Sequence, residues 1–259
     1  MTKPCRFLAA ALFAAVLVAR AAAGPDAVIA RARAYLGPEA VLEAITSIHY
    51  VGTLAGEETV KDQDGKQIRR PFNGTIDIIF QKPYRQRVVL VSYKGTEITV
   101  LDDYEAWYYK EDATDANRKK FMLLGKDQVK NQRANTWENL AFFRGIERRG
   151  GQVEDLGSSV IDGRTCEKIA FVHEPGIKFY RYFDRATGQL MLTELGNGDL
   201  FREKGEMRVD GVRFPKMLVN TSKDQATGRE NTLVIKLDKI TLNEVFPESL
   251  FAVPMFTGK

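Results

Sequence analysis

The chain has 259 residues, with 38 Lys and Arg against 34 Asp and Glu. Lys3, Arg6 and Arg20 lie in the first 23 positions, which hold no acid, so the remainder carries 35 basic against 34 acidic residues and is close to neutral. Nothing in that balance suggests a protein that binds nucleic acid or an anionic membrane surface, and the length suits one large β-rich domain with a sizeable core, or two small ones.

The first segment reads as an export signal. Lys3 and Arg6 precede an apolar run from Phe7 to Ala19, and Arg20-Ala21-Ala22-Ala23 supplies a small-residue cleavage site. The run is short for a bilayer span. Residues 1–23 are therefore expected to be removed, leaving 24–259 as one domain outside the cytoplasm. Cys5 is lost with the signal, and Cys166 is then alone, which excludes an intrachain disulfide. No Cys stands at the cleavage point, so the expectation is a periplasmic protein without a lipid anchor.

Helical spacing then appears in two places. Asp26 can cap a helix through Val28, Ile29, Ala32 and Tyr35, with Gly37 as its stop and Pro38 opening a second short helix through Val41, Leu42 and Ile45. The other helical stretch is Lys126–Arg149, with Thr136 as an N-cap before Trp137, Leu140, Phe143 and Ile146, and Gly150-Gly151 as the end. Strands are expected elsewhere: Ser47–Leu54, Thr75–Gln81, Tyr84–Tyr93, Thr96–Leu101 and Ala106–Lys110 before the second helical stretch. After it come Gln152–Ser159, Arg164–His173, Lys178–Asp184, Gln189–Leu195, Phe201–Val209, Val212–Ser222 and Asn231–Leu242. Asp162-Gly163, Asn197-Gly198 and Asp210-Gly211 are hairpin dipeptides. Short links without intervening helices imply an antiparallel meander. That many strands in one domain are expected to curl strongly. Ile76, Ile78 and Phe80 share a face, as do Phe179 with Phe183 and Leu233 with Ile235 and Leu237. One face is expected to be apolar and the other largely charged.

The sequence carries little that looks catalytic. His49 and His173 are the only histidines, and each is read as packed or solvated. HExxH, G-x-S-x-G and Walker patterns are absent from the sequence. Asp62-x-Asp64-Gly65 lacks the later ligands of a calcium loop and reads as a hairpin tip. Asp102-Asp103 reads as a turn, and Arg118-Lys119-Lys120 as a solvated loop or a docking patch for a partner. Cys166 sits mid-strand as a small hydrophobe. No metal, cofactor or catalytic set is expected. The competing class is a secreted hydrolase using Cys166 or a carboxylate pair, which would require a polar cleft.

Taken in order, several segments resemble the LolA/LolB/LppX superfamily of periplasmic lipoprotein carriers and lipid-binding proteins. They are the helix ending Tyr35-Leu36-Gly37, the stretch Glu39–Ile45, the strand Ile48–Thr53, and Gln81-Lys82-Pro83-Tyr84-Arg85-Gln86-Arg87. Tyr182-Phe183-Asp184 before a Thr-Gly turn, and the closing Phe251-Ala252-Val253-Pro254, complete the set. The resemblance implies a mainly β (α+β) fold, an unclosed β-barrel of about eleven strands in a strongly curved antiparallel sheet, with helices covering the concave face. It also implies non-catalytic binding of lipoprotein acyl chains or lipids, with an inner- or outer-membrane protein as partner; a monomer is expected. Arg85 and Arg87 are the candidates for the arginine on which the lipoprotein carriers depend. An envelope-stress sensor of the RseB type, which shares the fold and binds a membrane partner, is the alternative. Apolar members of the alternating strands give the candidate ligand wall: Ile78, Phe80, Val88, Leu90, Ile98, Val100, Trp107, Tyr109, Phe179, Phe183 and Ile235. Which sets share a face depends on hairpin register.

Overall fold

A computed structural model describes residues 24–61, 64–115, 117–174, 176–223 and 228–254. The expected signal peptide, 1–23, and Asp62 of the expected hairpin tip lie outside the described residues. Helix α1, Pro25–Leu36, places Pro25 in its first turn, where a missing N–H costs nothing. Gly24, not Asp26, holds the cap position, and Asp26 sits in the first turn, where its charge complements the helix dipole. Helix α2 is Glu39–Ala44. The long helix α3 spans Lys126–Leu140. Its N-cap is Gly125, whose backbone N–H donates to Gln128 Oε1 at 3.0 Å. Thr136 is therefore mid-helix and not a cap, and its hydroxyl donates one turn back to the Gln132 carbonyl. A single helical turn, Ile146–Arg149, follows separately. Among the described residues no helix is long and apolar enough to cross a membrane.

The strands are β1 Ser47–Lys61, β2 Gln67–Gln81, β3 Arg85–Ser92, β4 Gly95–Asp102, β5 Glu105–Asp112 and β6 Lys119–Leu123, then β7 Gln152–Ile161, β8 Arg164–Glu174, β9 Ile177–Asp184, β10 Leu190–Leu195 and β11 Leu200–Lys204. The last four are β12 Met207–Val209, β13 Val212–Phe214, β14 Met217–Lys223 and β15 Glu230–Leu242. Thirteen of them form one antiparallel sheet in the order β6-β5-β4-β3-β2-β1-β15-β14-β11-β10-β9-β8-β7. Strand β15 returns to pair with β1 and so joins the two meanders.

This corrects the expected architecture. The sheet has thirteen strands, is open and is not strongly curled, so it is not the strongly curved unclosed barrel of about eleven strands. Its end strands β6 and β7 have one neighbour each. Strand number alone does not impose curling, and open sheets of roughly this size occur. Two further corrections bear on the site. Lys119 and Lys120, expected in a loop, open strand β6, which pairs with β5 through Tyr109↔Phe121. The expected strands Phe201–Val209 and Val212–Ser222 are each broken, at Gly205 (φ 67°) and at Pro215. Between the breaks, β12 and β13 leave the main sheet as a separate hairpin. Its turn, Asp210-Gly211, has φ of 51° and 84°, the paired left-handed residues that a two-residue hairpin requires. Gly52 marks a register shift against β15, where a Cβ would lie 2.1 Å from the Lys236 carbonyl oxygen.

One face of the sheet is covered by the helices and by the β12–β13 hairpin. Leu42 and Ile45 pack with Ile48, Phe80, Leu140, Val212 and Phe214 in one core cluster. Val28, Ile29 and Ala32 of α1 pack with Trp137, Ile169, Phe171 and Phe183 in another. The opposite face is not uniformly charged, contrary to expectation. Ile79, Val100, Trp107 and Phe251 form a core there, with Phe246 and Leu250 of the C-terminal segment packed on it. Trp107 Nε1 donates to the Phe251 carbonyl at 3.1 Å.

Candidate functional site

Between the two helix-side clusters the packing leaves a cavity of about 330 Å³. Its floor comes from β1, β2, β3, β9, β10, β11, β14 and β15. Its cover comes from Leu36 at the end of α1, from Asn135, Glu138 and Asn139 of α3, from Phe142 and Phe143, and from Arg213 and Phe214 of the β12–β13 hairpin. The cover is held by polar contacts, which suits the polar sequence of α3. Gln86 of β3 donates to Gln132 at 2.6 Å and accepts from Asn135 at 3.0 Å. Arg33, buried in α1, donates to the carbonyls of Ala141 and Phe142 at 3.1 and 2.7 Å and pairs with Glu39 at 2.7 Å. Phe142 and Phe143, just past the end of α3, both have positive φ, 46° and 71°. For residues with a Cβ that conformation is strained and persists only where surroundings over-determine it.

Of the eleven candidate wall residues, Ile78, Phe80, Val88, Phe179 and Ile235 line the cavity. Leu90 shares their face, two residues along β3 from Val88, but lies outside the lining. Phe183 also points to the helix side and is packed solid beneath α1 and Phe143. Ile98, Val100, Trp107 and Tyr109 belong to the opposite face, in the core closed by Phe251. The register explains the split. Ile78 pairs with Val88, Val88 with Thr99 and Thr99 with Tyr108. The two-residue loops after Ser92 and Asp102 invert odd and even at each crossing, so Thr99 and Tyr108 face the helices while Val100 and Trp107 face away. Arg85 and Arg87 also point away from the cavity side. Arg85 pairs with Asp102 and Glu248 at 2.8 and 2.9 Å, and Arg87 lies 3.8 Å from Asp77.

The sequence reading missed the polar part of the lining. Arg181 of β9 donates from Nε and Nη2 to Glu138 Oε2 at 2.9 and 2.6 Å, and from Nη1 to Thr193 at 3.2 Å. Glu138 Oε1 meets His173 Nε2 at 2.7 Å. The guanidinium of Arg181 also lies 5.0 Å from the centre of the Phe143 ring. Arg213 pairs with Glu206 at 2.5 Å and stacks over Tyr35. Glu203 of β11 has no hydrogen-bond or ion-pair partner among the described residues. Its side chain is solvent-exposed where it lines the cavity, with protein surrounding it on the wider scale. That surrounding protein pushes its carboxyl up to about 7, with the Arg181 charge pulling the other way. Burial, and then the Glu203 charge, push the Tyr50 hydroxyl upward as well. The signal for these residues was in the alternation. Arg181 sits between Phe179 and Phe183 on one strand phase, and Glu203 two residues from Phe201, so both are charges in the inward phase.

The remaining candidates are structural. Cys166 is buried with Tyr182 and Leu192, and burial pushes its thiol up, away from the thiolate a nucleophile needs. His49 bridges Asp77 and Glu244 at 3.0 and 2.9 Å. Arg118 pairs with Asp115 and Lys119 with Glu111. Among the described residues, no group of three or more His, Cys, Asp and Glu could hold a metal ion.

No protein-family model matches the sequence, and no curated protein matches it. Solved structures do match the fold. A LolA superfamily protein from Nitrosomonas europaea superposes with a TM-score of 0.55 at 10% identity, over 90% of this chain and 99% of that one. A putative outer membrane lipoprotein-sorting protein domain from Vibrio parahaemolyticus gives 0.51 at 8% identity, over 87% and 94%. A DUF1329 family protein from Desulfovibrio piger gives 0.50 at 9%, over 88% and 96%. At these identities the likeness is one of fold: the chain is built like LolA-superfamily proteins, as the ordered segments of its sequence resemble them.

Proposed function

We propose that the chain is a periplasmic binding or carrier protein for an acyl chain or a similar apolar group, acting without catalysis. The observation that carries this is the unfilled space between sheet and helices, walled by Tyr50, Ile78, Phe80, Val88, Phe179, Phe201, Leu218 and Ile235. A volume of about 330 Å³ lies in the range of small-molecule sites, roughly 300 to 1,000 Å³. A flexible chain can thread such a space, and each methylene removed from water contributes about 0.8 kcal/mol. The export-like segment Lys3–Ala23 supports the location. Arg181 and Glu138 of the lining are committed to one another, and Glu138 also to His173, an arrangement that ties the cover to the floor rather than activating a nucleophile.

Native mass spectrometry of protein purified from its own cell envelope tests this reading. The expected result is a co-purifying lipid or acylated species that is lost in Leu218→Trp, which fills the cavity while keeping the fold. A ligand-free protein that also fails to take up a fluorescent fatty acid would overturn it.

A further inference from the structure

We propose that Glu203 is the residue that selects the polar end of the ligand, so that the cavity takes a long-chain amphiphile ending in a hydrogen-bond donor, a hydroxyl or an amine, in preference to a fatty-acid anion. This rests on the cavity reading above and names the substrate class for that site.

The other charged groups of the lining are satisfied by the protein. Arg181 is locked to Glu138 by two hydrogen bonds and to Thr193 by a third, and Glu138 spends its second oxygen on His173. Arg213 is held by Glu206 and Tyr35. Glu203 alone among the charged lining residues has no partner among the described residues. It is set in place by the sheet. Glu203 pairs with Leu218, Leu218 with Ile235 and Ile235 with Leu54, so the carboxylate stands at the end of a cross-strand row of aliphatic side chains. A chain lying along Leu218 and Ile235 would bring its polar end to Glu203. A carboxylate there accepts hydrogen bonds and donates none. A hydroxyl or ammonium group satisfies it, whereas a second carboxylate adds like charge and brings no donor.

The groups that face Glu203 are Tyr50 from β1, the Arg181–Glu138 pair from β9 and α3, and Arg213 from the hairpin. None of them neutralises it by direct contact. Selection is therefore strongest when Glu203 is ionised and weakens on its protonation, which the upward push on its carboxyl brings into the neutral range.

The test is displacement of a bound environment-sensitive dye by monoolein, oleylamine and oleate, at about pH 8.5 and about pH 5.5. For the wild-type chain at the higher pH, monoolein and oleylamine should bind about tenfold more tightly than oleate, equivalent to about 1.4 kcal/mol. In Glu203→Gln the gap should close to within about threefold, each competitor being referred to that variant's own dye affinity. At the lower pH the wild-type gap should narrow in the same way. Oleate binding to the wild type as tightly as oleylamine, or a gap that survives in Glu203→Gln, overturns the proposal and leaves the cavity reading standing. If none of the three displaces the dye and none is seen bound by native mass spectrometry, the cavity reading itself fails.

Discussion

Arg181 and Glu138 join the sheet to helix α3 through a two-pronged contact, Nε and Nη2 on the same carboxylate oxygen, with both side chains at most one-tenth exposed. A buried pair of this kind adds little net stability over an apolar pair of similar size, but breaking it leaves a charge without a partner. Here the pair also ties α3 to the cavity floor, and both residues line the space that α3 covers.

Arg181→Ala should therefore destabilise the fold by about 3 to 5 kcal/mol. The double replacement Arg181→Met with Glu138→Leu should recover most of that loss. Urea denaturation of the wild type, the single and the double variant measures the coupling. A single variant as stable as the wild type would show that the contact does not hold the helix.

Trp107→Ala should cost about 3 to 5 kcal/mol, the range for large aromatic truncations in a core. Its indole is buried and donates to Phe251, on the face away from the cavity. Uptake of a fluorescent fatty acid per folded molecule should stay unchanged. A fall in affinity at conditions where the variant is fully folded would place Trp107 on the ligand side and contradict the register.

His49 gives a pH dependence of definite sign. Burial works to lower its pKa, but hydrogen bonds and charge from Asp77 and Glu244 outweigh it, and the net shift is upward. The protonated ring is therefore favoured by folding, and its contribution is fully present below the unfolded value of about 6.5 and lost as pH rises through the higher folded value. The stability difference between wild type and His49→Gln should be largest near pH 5.5 and should shrink steadily above about pH 7. Thermal melts of both proteins across that window check it, and a difference that grows with pH would contradict the assignment.

How far the fold could be read in the sequence depends on the distance over which the information acts. Turns are local, so Asp162-Gly163 and Asp210-Gly211 were legible, and both adopt paired positive φ values. Pro38 at the start of α2 and Gly37 after α1 were legible for the same reason. The sheet's openness was not, because it depends on how much twist accumulates over thirteen strands, which no single strand encodes. Four of the eleven candidate wall residues were lost to register. Val100 and Trp107 look like inward residues on their own strands, but counting the two-residue loops before β4 and β5 would have turned them outward. Their apolar character also misled, because it answers to Phe246, Leu250 and Phe251, far away in sequence. Glu203 and Arg181 were passed over because a charged residue in an otherwise apolar phase reads as a defect in the pattern, when it marks the polar part of the lining.

The open sheet ends in two rows of backbone donors and acceptors, along β6 and along β7. Such rows can recruit another strand, and edge-to-edge growth is the usual route from a sheet to an aggregate. Each row is blunted differently. Strand β6 is only five residues long and begins with Lys119 and Lys120, both exposed. Strand β7 slips register between Asp155 and Ser158, where Gly157 turns left-handed at φ 81°. Two lysines at one border and a kink at the other are the features that oppose stacking of the sheet on itself.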